Sequence, residues 1–184
     1  SPIANPTAMM RRSELVALGG YRERGWPEDY DLWLRYHLAG KLFAKVPEVL
    51  FYWREHAQRA THTQSRYSVE SFLRAKAHYL IDGPLQGRDG LLVWGAGKTG
   101  RRLAKHLQRG GAALDAFIDI TPKKIGGTLR GAPVIGPEAV VEWWRRFSRP
   151  VLLTAVASRG VRALIRSQLE EWGLEEGVDY WCVA

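Results

Sequence analysis

The chain has 184 residues, 46% of them hydrophobic, which suits a folded protein with one good core or two small ones and excludes a disordered or fibrous chain. Its formal charge of +8 comes from 27 Lys and Arg against 19 Asp and Glu, and the basic residues lie in scattered pairs such as Arg11-Arg12, Arg101-Arg102 and Arg145-Arg146. Scattered pairs argue against a nucleic-acid footprint, which needs clustering on one face, while leaving peripheral contact with an anionic membrane open. The single cysteine, Cys182, excludes an intramolecular disulfide and a Cys-based zinc site and suits a reducing cytoplasm. No apolar run is long enough to cross a bilayer, and the start "SPIANPTAMM" lacks the features of a signal peptide.

In chain order, Ser13 is placed to cap a short helix through "ELVALGG", stopped by Gly19-Gly20. The stretch "WPEDYDLWLR" opens a second helix, which Gly40 closes, and "KLFAKVPEVLFYWR" reads as two short strands about Pro47. The spacing of Val69, Phe72, Leu73, Ala77 and Leu80 predicts a helix over 67–81. "DGPLQGRDG" then breaks the pattern and marks a boundary, giving segments 1–67, a helix and linker at 68–88, and a second domain at 89–184. Beyond it, strands "GLLVWGAG", "LDAFIDI", "PVIG", "PVLLTAVA" and "DYWCVA" alternate with helices "KTGRRLAKHLQRGG", "PEAVVEWWRRFS" and "RGVRALIRSQLEEWG". Such alternation predicts an α/β domain in three layers, a mainly parallel sheet with helices on both faces.

Two clusters carry chemistry. "LLVWGAGKTG" contains GKT, but Leu92 stands where the first glycine of an ATP-binding P-loop is required, so that loop is excluded. Gly95, Gly97 and Gly100 instead complete G-x-G-x-x-G between a strand and a helix, the setting in which backbone N–H groups approach a pyrophosphate. Asp119, nineteen residues after Gly100 at the end of the next strand, is the candidate ribose ligand and favours a free 2′-hydroxyl, which places NADP(H) last among the nucleotides considered. A turn that merely packs strand on helix has the same glycines, and about 95 residues amount to one mononucleotide-binding half of a full dinucleotide fold. The other cluster is Glu28, Asp29 and Asp31 at the mouth of a helix. These acids either complement the helix dipole or divide into a paired carboxylate and a proton acceptor, with Asp31 one turn from Arg35.

Two resemblances sharpen these readings. "FIDITPKKIGGTLRGAPVIG", behind the glycine turn, resembles the small Rossmann-like N-terminal domain of bacterial sugar O-acyltransferases. That resemblance implies Gly95, Gly97, Gly100 and Asp119 near the phosphate and ribose of a nucleotide; the hexapeptide repeats of the acyltransferases are absent, so acyl transfer is not expected. Over about residues 3–67, the ordered run of an Arg segment, "GGY", "EDYDLWLR", "PEVL" and "YWREH" resembles the C-terminal half of the catalytic domain of family 2 glycosyltransferases, inverting enzymes of GT-A fold. This implies Asp29 as the base that activates an acceptor hydroxyl, Glu28 as its neighbour, and His56 near the diphosphate and a divalent metal, Mg or Mn. It also leads us to consider Arg54 and Arg59 as partners of the leaving diphosphate, and Trp26 and Trp53 as acceptor-stacking surfaces.

The donor half of that family, with its D-x-D metal site, is not in this sequence, so the expectation is a C-terminal fragment, inactive alone, of a cytoplasmic or membrane-associated bacterial enzyme of polysaccharide or glycan biosynthesis. Its partners would be a nucleotide-sugar donor, a glycan or lipid-linked acceptor, the missing half of the enzyme and, through exposed strand edges, a second copy. The alternatives are a nucleotide- or NAD-binding module in which the Rossmann-like domain is the functional unit, and a non-enzymatic docking module.

Overall fold

The computed structural model describes residues 1–54, 56–158 and 160–184. Position 55 in "YWREH" and position 159, the start of the last predicted helix, therefore lie outside the described residues. The chain divides into two compact units, Ser1–Tyr79 and Leu80–Ala184.

The first unit is helical among the described residues. Helix α1 (Arg12–Ala17) begins after Arg11, two residues ahead of the expected Ser13 cap, and stops where Gly19 and Gly20 take positive φ and donate back to the carbonyls of Val16 and Leu15. Helix α2 (Glu28–Leu38) follows Pro27, and its Leu32, Trp33 and Tyr36 pack with Ile3, Met10, Leu15 and Leu18 into a small core. After Gly40 (φ 67°) the chain runs to residue 54 without helix or strand. The two strands expected about Pro47 do not form. A strand must pair its N–H and C=O groups along a neighbour, and no described segment of this unit supplies one. Leu42 and Tyr52 are almost fully exposed as a result. A single turn, α3 (Ala60–Thr63), leads to α4 (Val69–Ile81), the helix expected over 67–81, within which the unit ends at Tyr79.

The second unit is an α/β fold around a six-stranded, mostly parallel sheet. Its elements are β1 (Gly90–Trp94), α5 (Lys98–Arg109), β2 (Ala116–Ile118), β3 (Thr128–Leu129), β4 (Ala132–Ile135), α6 (Val140–Trp144), β5 (Pro150–Thr154), α7 (Val161–Glu171) and β6 (Tyr180–Cys182). Their order is β3-β4-β2-β1-β5-β6, and only the β3–β4 pair is antiparallel. The hairpin turn at Arg130 (φ 54°) and Gly131 (φ 83°) creates β3 inside what reads as a loop. The five parallel strands follow the doubly wound order, stepping from β1 to β2 and β4 on one side and to β5 and β6 on the other. The unit therefore contains more than the single mononucleotide half that its length suggests, including the crevice between β1 and β5 where the winding reverses.

Strands buried on both faces explain the unbroken apolar runs "GLLVW" and "PVLLT". Leu92, Trp94, Ile118, Leu152 and Tyr180 share a core with Val140 of α6 and Ile165 and Leu169 of α7. The alternate residues Leu91, Val93, Phe117 and Leu153 are equally buried and point to the opposite face, the side of α5 with its buried Leu103, Ala104 and Leu107. Right-handed crossovers produce this division, because the two windings from β1 deliver their helices to opposite faces.

Candidate functional site

At the carboxyl ends of β1 and β5 lies a cavity of about 710 Å³, bordered by Gly95, Gly97, Lys98, Asp119, Lys124 and the turn Ala155–Ser158. The three glycines have three different reasons to be there. Gly95 has φ +119°, and a Cβ on it would come 3.0 Å from the carbonyl oxygen of Ala155. A Cβ on Gly100 would stand 1.8 Å from the carbonyl oxygen of Gly95, so α5 can begin this close to β1 only without a side chain. Gly97 is unlike either: its φ of −85° suits any residue, and a Cβ there would meet no atom within 4 Å.

Gly97 is also the N-cap of α5, and it offers no side-chain oxygen to the first N–H groups of the helix. The first turn carries no acid and begins with Lys98, the reverse of what a helix dipole selects for itself. Positive backbone ends, a nearby ammonium and vacant space at a glycine together form a cradle for an anion.

Asp119 stands beside this cradle, buried at the end of β2. Its Oδ2 accepts the N–H of Ala96 at 3.0 Å and the Lys124 ammonium at 2.8 Å, while Oδ1 accepts the N–H of Thr121 at 2.9 Å. Burial alone would push this carboxyl up, but the hydrogen bonds from Lys124 and Thr121 hold it below the usual carboxylate range. Asp119 thus ties the glycine turn to the loop after β2, in addition to facing the cavity expected to hold a ribose. Sequence reasoning missed Lys124 and the Ala155–Ser158 turn. The signal for the lysine was its place in "TPKKIGG", five residues beyond Asp119.

No family model and no curated protein matches the chain. Among solved structures, UDP-D-quinovosamine 4-dehydrogenase from Vibrio fischeri is similar at 27% identity and TM-score 0.42, over 48% of this chain and 75% of that one. The Rex-family repressor RSP is similar at 17% identity and TM-score 0.44, over 58% of this chain. RSP in complex with β-NADH is similar at 18% identity and TM-score 0.43, over 60% of this chain. The chain spans 57% and 62% of the length of these two repressor chains. The second unit is a Rossmann-like domain on its own strand order and glycine turn.

In the first unit, the three acids of "EDYD" have different surroundings. Asp31 is fully buried, with Oδ2 2.9 Å from Arg35 Nε and Oδ1 accepting from Trp26 Nε1 at 2.8 Å and Tyr79 Oη at 2.6 Å. Burial raises its pKa, yet these three donors hold it below the ordinary range. Glu28 accepts the Tyr67 hydroxyl at 2.9 Å and lies 3.6 Å from Arg66. Burial and then that bond push Tyr67 up to about 12, so it remains a donor. Asp29, half-buried between them in sequence, accepts the backbone N–H of Tyr30 at 2.7 Å.

The remaining predicted residues are dispersed. Trp26 is committed to Asp31 and lies 5.4 Å from the His78 ring, so its indole is part of a packed network more than an open stacking surface. Arg54 and His56 are exposed on the irregular segment, and Arg59 lies over the Trp53 ring at 4.5 Å. Among the described residues no three His, Cys, Asp or Glu side chains come together as metal ligands. The described residues around His56 therefore supply no ligand set for the expected divalent metal.

Proposed function

We propose that the second unit binds a nucleotide, with a phosphate over Gly97 at the start of α5 and a ribose at the Asp119 end of β2. The supporting observation is Gly97 itself. Packing accounts for Gly95 and Gly100, whereas nothing in the protein occupies the space that a Gly97 side chain would fill. A phosphate needs that space, because its oxygens must approach the backbone N–H groups closely. The 710 Å³ cavity is of a size that ordinary small-molecule sites have. Thermal shift and calorimetric titration with NAD(H), NADP(H) and UDP-sugars test the reading: binding should raise the melting temperature, because the ligand binds only the folded state. Gly97→Ala should weaken that binding at least tenfold while the ligand-free melting temperature stays nearly unchanged. Equal affinity in the variant would sink the proposal.

For the first unit we propose the acceptor-side end of an inverting sugar transferase, with Asp29 as base. What supports it is the division among the acids: Asp31 is committed to Arg35, Trp26 and Tyr79, and Glu28 to Tyr67, while Asp29 takes a backbone N–H. In that chemistry the acceptor hydroxyl gives its proton to Asp29 and attacks the anomeric carbon as the nucleoside diphosphate departs. Asp29→Asn in an enzyme that also has a donor-binding half should abolish transfer with its folding intact. Unchanged turnover in that variant would remove Asp29 from the reaction.

A further inference from the structure

The carboxylate that should receive a ribose is nearly saturated by the protein. A carboxylate offers about four lone-pair positions, and at Asp119 three are taken, by Ala96 N, Thr121 N and Lys124 Nζ. The three donors are not equivalent. Ala96 and Thr121 donate from backbone that is fixed by the glycine turn and the loop. Lys124 donates from a flexible stem whose side chain is 41% exposed and borders the cavity.

The backbone under Lys124 is anchored, since its N–H donates to Thr121 O, its carbonyl accepts from Gly127 N, and Gly127 O accepts from Val134 N in β4. Only its side chain is therefore free to change partner. Its ammonium sits one hydrogen bond from the carboxylate oxygen that in turn holds Ala96, the middle of the glycine turn. An anion seated over Gly97 would share the cavity that the lysine stem borders, and the exchange keeps the partly exposed ammonium paired, one anionic partner replacing another.

On the reading of the cavity as a nucleotide site, we propose that Lys124 is its specificity-determining residue: it leaves Asp119 for the ligand's phosphate, and the position it vacates, together with the one already open, accepts the two hydroxyls of a ribose diol. The site then selects ligands that carry both groups, phosphorylated nucleosides with an unmodified vicinal diol. A bare nucleoside can place one hydroxyl on the open position but must displace Lys124 with no compensation to place the second, and a phosphate without a ribose leaves the vacated position unsatisfied.

The test is calorimetric titration of the chain with uridine, UDP, adenosine and ADP, against wild type, Lys124→Met, Lys124→Arg and Lys98→Met. Lys124→Met keeps the stem and removes the charge. It should weaken whichever nucleoside diphosphate binds by tenfold or more and strengthen the matching nucleoside several-fold, two changes of opposite sign. Lys124→Arg should restore the diphosphate. Lys98→Met removes a cavity-lining cation at the start of α5 and should leave nucleoside affinity unchanged. Parallel weakening of both ligand types in Lys124→Met, no change in either, or tighter nucleoside binding in Lys98→Met overturns the role of Lys124 alone. Absence of nucleotide binding in the wild type, with NAD(H) and UDP-sugars included, overturns the underlying site as well.

Discussion

Asp31 and Asp119 are the two buried aspartates of the molecule's two units, and each is held ionised by three donors. Around Asp31 every donor is a packed side chain: Arg35, Trp26 and Tyr79. Arg35 is in turn fixed by the carbonyls of Leu18 and Gly20. Around Asp119 two donors are backbone and the third is a partly exposed ammonium at the edge of a cavity. Burial and a depressed pKa are common to both and so identify neither as functional. What separates them is the kind of donor and, at Asp119, a cavity from which a replacement partner could reach the carboxylate.

The comparison breaks most visibly at Asp31. Asp31→Asn leaves the Arg35 guanidinium, itself buried, without its counter-charge, and removing one member of a buried pair costs about 3–5 kcal/mol. The unit also loses the link between α2 and Tyr79, and its core around Leu32 is small. Peptide-resolved hydrogen exchange should show residues 28–38 losing protection while 90–94 and 150–154 keep theirs. Retained protection over α2 would mean that the pair is only an ornament of an independently stable helix.

Gly100→Ala carries the comparison to the second unit, where backbone contact does what side chains do around Asp31. A Cβ 1.8 Å from the Gly95 carbonyl cannot be accommodated unless α5 moves off β1. Overpacking of this kind costs about 1–3 kcal/mol, and the shift should open the cradle, so stability and nucleotide binding should fall together. Loss of one without the other in paired denaturation and titration experiments would separate the helix contact from the site.

Much of this was legible in sequence. The alternation after residue 89 gave the parallel sheet, and G-x-G-x-x-G with Asp119 falls at the carboxyl ends of β1 and β2, where Gly95, Gly97 and Asp119 border the cavity, because local glycine geometry and strand order decide both positions. The i,i+4 spacing of Asp31 and Arg35 likewise appeared as an ion pair. Three features were not legible for definite reasons. The expected strands about Pro47 depend on a partner strand, which periodicity within "KLFAKVPEVLFYW" cannot supply. The third cavity wall, Ala155–Ser158, comes from a turn with no motif of its own, brought in by β5 pairing beside β1. Engagement of Asp119 by Lys124 depends on the fold of the "TPKKIGG" loop back over the end of β2.

Asp119→Asn should have a smaller effect than Asp31→Asn and one comparable to that of Gly100→Ala, on the order of 2 kcal/mol, from hydrogen bonds to a charged acceptor. The Lys124 contribution is discounted in that figure because its side chain is substantially exposed. The pH dependence has a definite sign. A carboxyl depressed in the folded state contributes stability above the unfolded pKa of about 4 and loses it as pH falls through the lower folded value. The gap between wild type and Asp119→Asn should therefore be widest near neutrality and narrow below about pH 4. A gap that is constant with pH would assign the effect to side-chain shape instead of charge.

Gly97→Ala is the finest probe, because it is expected to change stability least and binding most. The variant keeps an allowed backbone, places its methyl in vacant space and costs at most about 1 kcal/mol as an altered N-cap. The same methyl occupies the position where a phosphate would meet the first N–H groups of α5. A protein that used the glycine turn only to pack strand on helix would tolerate the methyl in every assay. One that uses it to hold a nucleotide should show a denaturation midpoint shifted by no more than that small cap cost, an unchanged exchange pattern over 90–109, and a dissociation constant raised tenfold or more. That dissociation between stability and affinity is not expected at Asp31, whose three donors are all side chains packed into the helix it anchors.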